Sequence, residues 1–343
     1  MAGKRQIGSK IAEEYLERWP DMATRTLAKK MYKENPSVWS NDESARTTLR
    51  RLIGTTGNTA RKEKNIDKKD VVYAKNANKM GIPNPFHIPE SDEVEWPPFV
   101  IPKLHRRILI LSDIHMPYHN EEALRLALGW ALDQKIEAIV LNGDILDFYG
   151  LSRYEKDPRK RRFSEELEMG REFLAELRKH FDGIPIYYKL GNHEERYEAY
   201  LRLKAPELLD VNEFKLDVLL RFGEMGITLI DDQQRIMAGD LCIMHGHEFG
   251  RSVFSPVNPA RGYYNRAKAS VICGHNHQTS QHSESNLHEE EIMTWSTGCL
   301  CELHPRYMRV NKWNHGFAYV EVYNDGTFDV SNLRIKDGRV RHA

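Results

Sequence analysis

The sequence predicts a small all-helical unit followed by a large α/β domain. Two observations carry this reading. From Arg106 onward, short apolar runs alternate with longer stretches of helical periodicity, the pattern of a sheet layered with helices. Residues 1–70 also hold sixteen Lys+Arg against ten Asp+Glu, an excess of six positive charges, and the remainder holds the balancing excess of six acids. The two parts differ in charge as well as in periodicity.

In the first part, Ile11, Tyr15, Leu16 and Trp19 form one helical stripe. Leu27, Met31 and Tyr32 form a second, and Ala45, Leu49, Leu52 and Ile53 a third. Three short amphipathic helices follow, the third capped by Asn41 or Asp42 and stopped at Gly54. Polar residues 54–70 and the Pro-rich stretch 83–102 read as connector. The expected domains are therefore 1–65, a connector over 66–103, and 104–338. In the last of these, RILILSD, EAIVLNGD and IPIYYKLGN read as strands, with EEALRLALGWALDQ and SEELEMGREFLAELRKHF as the helices between them. Further strands are expected at Leu241–His245, Ser270–Cys273, Phe317–Tyr323 and Thr327–Leu333, the last two joined by the hairpin signal Asn324-Asp325-Gly326.

Composition excludes several classes. Fifty Lys+Arg balance fifty Asp+Glu, so the chain is not a uniformly basic nucleic-acid binder, although local patches are unaffected. Cys242, Cys273, Cys299 and Cys301 are too few for a disulfide scaffold and fit a reducing compartment. Three glutamates between Ile11 and Trp19 are unlike the apolar core of a signal peptide, and no apolar run approaches the roughly 20 residues that span a bilayer. The expectation is a soluble cytoplasmic protein without a membrane partner.

Five strand candidates end in metal-binding residue types: Asp113 with His115, Asp144, Asn192 with His193, His245, and His275 with His277. In an open α/β sheet ligands gather at the carboxyl ends of strands, so residues far apart in sequence can converge on one crevice. Each i, i+2 pair places two side chains on the same side of an extended segment. An Asp or His at a strand end is ordinarily a cap or turn residue. Five in this order mean more than any one alone.

The order Asp113-Ile114-His115, Gly143-Asp144, Gly191-Asn192-His193, His245 and Gly274-His275-Asn276-His277 resembles the calcineurin-like metallophosphoesterase family over roughly residues 104–335. The resemblance implies a two-layered β-sheet sandwich flanked by helices. It also implies two divalent ions, with manganese the default and Fe, Ni, Zn or Mg as other candidates. Carried over by position, Asp113, His115 and His277 would bind one ion, Asn192, His245 and His275 the other, and Asp144 both. His193 would face the substrate as a catalytic group. His247 competes with His245 for its place, and His245, directly after an apolar strand, is preferred. Such a pair of ions activates water and orients it for in-line attack on phosphorus.

Tyr149, Arg153 and Arg196 lie close enough in sequence to reach a substrate phosphate, since guanidinium groups match phosphate oxygens. Glu194 could orient His193 or hold the following helix. Cys299-Leu300-Cys301 reads as packing. In the helical unit, Arg46, Arg50 and Arg51 give a basic face that resembles a helix-turn-helix module, making DNA a candidate partner beside the phosphoester substrate. The expected function is phosphoester hydrolysis by a phosphodiesterase, nuclease or phosphatase. The alternative is a non-catalytic DNA-binding or scaffold protein that retains the metal fold.

Overall fold

A computed structural model describes residues 2–19, 22–53, 93, 96–152, 163–250 and 257–342. The chain divides into two compact units, Met1–Glu95 and Trp96–Ala343. Arg153, the Gly54 stop and most of the expected connector lie outside the described residues.

The first unit contains α1 (Ala2–Arg18), α2 (Thr24–Glu34) and α3 (Asp42–Leu52). Asn41 caps α3 by accepting from the Ser44 amide at 2.7 Å. The apolar stripes meet in a core of Ala12, Leu27, Ala28, Met31, Trp39, Ala45 and Leu49, with Ile11, Tyr15, Leu16, Trp19 and Leu52 packed around it. Residues 35–41 link α2 to α3, a longer connection than the 3–4-residue turn usual in a helix-turn-helix. On α3, Arg46 pairs with Glu43 at 3.2 Å, Arg50 is half-buried and Arg51 is exposed.

The second unit opens with β1 (Phe99–Val100), β2 (Arg107–Leu111), α4 (Glu121–Asp133), β3 (Ala138–Asn142), α5 (Phe163–His180), β4 (Ile186–Lys189) and α6 (Glu195–Lys204). Two one-turn helices, α7 (Leu216–Leu219) and α8 (Phe222–Met225), precede β5 (Ile227–Ile230), β6 (Ile236–Ala238) and β7 (Leu241–Met244). Then come α9 (Pro259–Ala267), β8 (Val271–Cys273), β9 (Ser280–Ser285), β10 (Glu291–Ser296), β11 (Gly316–Val322), β12 (Phe328–Lys336) and β13 (Arg339–His342). Among the described residues these strands form two sheets, ordered β13-β12-β11-β2-β3-β4-β5 and β1-β6-β7-β8-β10-β9.

The alternation of side chains along β2 explains why the sheets form a sandwich. Ile108 and Ile110 face one core, shared with Ala138, Val140, Ala318 and Val320 of the first sheet and Ile236, Leu241, Ile243, Ile272 and Trp295 of the second. Leu109 and Leu111 face the other core, where Ala123, Ala127 and Ala131 of α4, Leu174 and Leu177 of α5, and Leu201 of α6 cover the sheet. The inner strands β2, β3 and β4 are thus buried on both faces and are almost continuously apolar. Tyr263 of α9 packs against Val271 and Cys273, covering the second sheet from its own outer side. The helix-flanked, two-layered sandwich expected from the motifs is the observed architecture.

Strands β2, β3 and β4 are parallel neighbours, as are β7 and β8. Their carboxyl ends lead into the turns that carry Asp113, Asp144, Asn192, His245 and His275. No helix among the described residues is long and apolar enough to cross a membrane.

Phe317 is fully buried and sits 5.4 Å from the Trp130 ring, edge to face, between β11 and α4. Phe317→Ala should lower the unfolding free energy by about 3–5 kcal/mol, read as a lower urea midpoint at unchanged slope. A shift below about 1 kcal/mol would mean that this packing is not what holds α4 to the sheet.

Candidate metal centre

Backbone hydrogen bonds beyond the ends of β2 and β3 keep the two departing loops in register. The Asp113 amide donates to the Gly143 carbonyl at 3.1 Å and the His115 amide to the Asp144 carbonyl at 2.9 Å. This places the Asp113-Ile114-His115 turn against the Gly143-Asp144 turn. Asp113, His115, Asp144, His275 and His277 all have φ between 52° and 65°. Left-handed backbone is uncommon outside glycine and costs about 1–3 kcal/mol where it is strained. Five such residues in one crevice indicate a surrounding framework that imposes the geometry. Glycine is required between them: a Cβ on Gly274 would meet Ser112 Oγ and the Asp113 carboxylate, and Gly143, at φ 81°, lies against the His245 ring.

Around Asp113, His277 Nε2 lies 3.1 Å from Oδ1 and 3.2 Å from His115 Nε2, while His115 Nε2 is 3.7 Å from Asp144 Oδ2. These separations resemble the edges of a coordination shell, since ligand atoms about 2.1 Å from one ion sit about 3 Å apart. The far ring nitrogen of His115, Nδ1, donates to Asp147 Oδ1 at 3.1 Å. A carboxylate on that nitrogen orients the ring and leaves Nε2 to act as a ligand.

On the other side of Asp144, His245 Nε2 lies 3.3 Å from Asp144 Oδ2, and Asp144, His245 and His275 form a second group able to hold an ion. His245 Nδ1 donates to the Asn142 carbonyl at 2.7 Å. Its Nε2 and Asn192 Oδ1 are buried and make no hydrogen bond within the protein. Orphaned buried polar atoms are costly, and a cation between them would satisfy both. The donor set of carboxylate, amide oxygen and imidazole therefore fits two divalent ions.

Electrostatics agree with the geometry. Burial pushes the Asp113, Asp144 and Asp147 carboxyls up, yet the facing imidazoles outweigh it and hold all three below the usual carboxylate range. Burial alone would lower His245, but the Asp144 charge raises it to about 10. His275, where burial dominates, falls to about 4. The three carboxyls stay ionised in the crevice, where a cation would take the place of the imidazole protons.

Of the two candidates in His245-Gly246-His247, His245 faces Asp144, and His247 turns away to a short contact with Glu195. His247 lines a neighbouring cavity of about 350 Å³ with Trp96, Glu195, Asp232, Gln233 and Arg235. The His193 amide donates to Asp144 Oδ1 at 2.9 Å, and its Nδ1 donates to the Asp147 carbonyl at 2.9 Å. Arg196 does not extend outward: its guanidinium donates to that carbonyl at 2.8 Å and to His193 Nε2 at 2.7 Å. Tyr149 opens the short helical turn 149–151, with its ring 6.4 Å from that of Tyr118.

Sequence reasoning undervalued three residues. Asp147, buried and shared by His115 and His193, stands three residues after Asp144, the one signal that could have found it. Cys301 Sγ lies 3.7 Å from His277 Nδ1, and the Trp313 ring packs 4.2 Å from the His277 ring. Neither carries a sequence signal. Glu194, expected to orient His193 or hold the following helix, instead accepts from the amides of Asp144, Ile145, Leu146 and Gly191 and from Tyr188 Oη, all at 2.8–3.1 Å.

Residues 106–297 match the calcineurin-like phosphoesterase family. The chain is 27% identical over 232 residues to the Gene 54 protein of Mycobacterium phage D29, covering 64% of this chain and 90% of that protein. It is 28% identical over 233 residues to the Gene 54 protein of Mycobacterium phage L5, with the same coverage. Among solved structures, it is similar to Vacuolar Protein Sorting 29 from Cryptosporidium parvum at 12% identity and TM-score 0.39, covering 69% of this chain and 95% of that one. The Vps29 structure from Chaetomium thermophilum matches at 10% identity and TM-score 0.35 over the same shares.

Every atom facing the Glu194 carboxylate is a donor, so Glu194→Gln must turn its NH2 toward N–H or O–H groups. Both Glu194→Gln and Glu194→Ala should cost about 3 kcal/mol or more and lower the metal content of the purified protein. Wild-type stability and metal stoichiometry in the Gln variant would show that an ionised carboxylate is not needed here.

Proposed function

The chain belongs to the calcineurin-like phosphoesterase family, and we propose that it hydrolyses phosphoester bonds at the crevice built around Asp144. The observation that carries this reading is Asp144 standing between two clusters of donor atoms, His115 and His193 on one side and His245 and His275 on the other, with His245 Nε2 and Asn192 Oδ1 buried and making no hydrogen bond within the protein. Asp113, His115, Asp144 and His277 would hold one divalent ion, and Asp144, Asn192, His245 and His275 the other, manganese being the proposed occupant of both. When bound, the ions supply an activated water and positive charge against the phosphate oxygens.

The chain's own groups do the remaining work. Asp147 holds His115 and His193 through their Nδ1 atoms, fixing both rings. His193 Nε2 accepts from Arg196 and holds that guanidinium in place; the pair would stabilise the charge on the leaving oxygen, contributing about 10²–10⁴ in rate. Tyr149 and Arg153 are proposed to border the substrate phosphate. Displacement by water needs no covalent intermediate on the protein. The reaction so described suits a phosphatase or a phosphodiesterase, nucleases included.

Asp144→Asn should depress turnover of nitrophenyl phosphate or its bis-diester more than loss of any other single ligand, with metal stoichiometry lowered as well. By contrast, His193→Ala should keep its metal while kcat falls about 10²–10⁴-fold; a metal-free variant overturns the role given to His193. Exhaustive chelation should abolish turnover and Mn²⁺ restore it. Full metal loading without turnover on either ester would favour the scaffold reading.

The helical unit is proposed to contact duplex DNA phosphates through Arg46, Arg50 and Arg51. Replacing all three by Ala should reduce the slope of log affinity against log salt by about 2.7, at roughly 0.9 per lost phosphate contact. An unchanged slope would assign the unit to protein docking instead.

A further inference from the structure

The loop 302–314 runs beside the crevice, and the family motifs leave it unexplained. It is anchored at both ends. The Glu302 amide donates to the Tyr118 carbonyl and the Asn314 amide to the His277 carbonyl, each at 2.9 Å. Between these points the Asn311 side chain braces the loop from within, donating to the carbonyls of Leu303 at 2.6 Å and Met308 at 2.7 Å and accepting from the Trp313 amide at 2.9 Å. These bonds brace the loop at both ends and from within.

What this braced loop displays is unusual for a solvated turn. Tyr307 is 75% exposed, Met308 43% and Val310 94%. Arg306 and Arg309 are exposed on the same segment, and among the described residues neither has an ion-pair partner. Its position is equally specific. Trp313 packs 4.2 Å from His277, and Tyr307 lies edge-on to Trp313 at 6.4 Å, which sets the loop next to a proposed ligand.

We propose that loop 302–314 binds a single-stranded polynucleotide and leads it into the metal crevice, with Arg306 and Arg309 on phosphates flanking the scissile one and Tyr307 stacked on an unpaired base. This rests on the phosphoesterase reading and names its substrate class. A monoester has no flanking phosphates for two unpartnered cations to meet. An inorganic polyphosphate has no use for exposed Tyr, Met and Val side chains. A single strand has both an anionic backbone and unpaired bases, and alternating cations and aromatic rings are the surface that binds one. Base-paired DNA would keep its bases stacked away from Tyr307.

The test uses the full-length, metal-loaded chain and a fluorescent 15-nucleotide single-stranded DNA, in the His193→Ala background to slow cleavage. Tyr307→Ala should weaken binding about 5- to 100-fold. Arg306→Ala with Arg309→Ala should reduce the salt slope by about 1.4, at roughly 0.7 per contact for single strands. Removing two distant charges, Arg125→Ala with Lys179→Ala, should leave the slope unchanged. With 5-iodouracil in the strand, photo-crosslinks should map to Tyr307 or Trp313. Crosslinks confined to residues 1–53, or affinity insensitive to every loop substitution, overturn the proposal and leave the loop as a protein-docking surface. Hydrolysis of the nitrophenyl diester by the unsubstituted chain is scored separately. An active chain with no loop crosslink sinks only the strand assignment, and an inactive chain with one sinks only the hydrolase reading.

Discussion

The carboxylate of Glu194 is where the order of the site begins. Its two oxygens collect four backbone amides and one phenol, tying the turn after β4 to the turn after β3. Burial and the nearby Asp144 charge push its pKa up, but five donors and no acceptor around it favour the ionised form. The cost of removing a carboxylate from water is offset by this complete set of donors. Once the turn is tied, Asp144 has little freedom, and every other proposed ligand is arranged with respect to it.

A second constraint is charge. Asp113, Asp144 and Asp147 are buried together, and five left-handed residues hold the donors in place whether or not a counter-charge has arrived. The buried carboxylates favour a site holding cations over a bare one. The left-handed backbone is the same in both, so the geometry need not be assembled at the moment of binding. Lys189 plays a similar part nearby. Fully buried, it pairs with Glu248 at 3.1 Å, and Glu248 in turn accepts from the His245 amide at 3.2 Å. The position of His245 is set by buried charge pairing outside the crevice.

Much of this arrangement was legible in the sequence because it follows from strand periodicity. Ile108 and Ile110 alternate with Leu109 and Leu111, and the strand ending there leads into Asp113, but the extended segments expected for Asp113 with His115 and for His275 with His277 are turns in which all four residues are left-handed. Asn41 announced its cap by residue type. The sharing of Asp147 between two histidines was hidden, since an Asp three residues after another is common and its partners lie 32 and 46 residues away. Arg196 illustrates the opposite limit. Its guanidinium is engaged by His193 and the Asp147 carbonyl, a pairing that no spacing reveals. Trp313 and Cys301 reach His277 only through the path of the chain after β10, and a sequence pattern holds no record of that path.

Chemistry and recognition are carried by different kinds of structure in this unit. The proposed ligands stand at the ends of strands whose two faces are buried, so thermal motion there is limited by the core itself. The surfaces beside them belong to segments with no such restraint from the sheets: the cavity lined by Trp96, Asp232 and Arg235, and the loop carrying Arg306 and Tyr307. A centre rich in carboxylates repels a polyanion at every position except where bound cations neutralise it. The proposed single strand would meet positive charge beyond the centre at Arg306 and Arg309, both exposed on loop 302–314. Substrate choice can then change through loop residues alone, without disturbing the Glu194 and Asp144 framework that fixes the reacting groups.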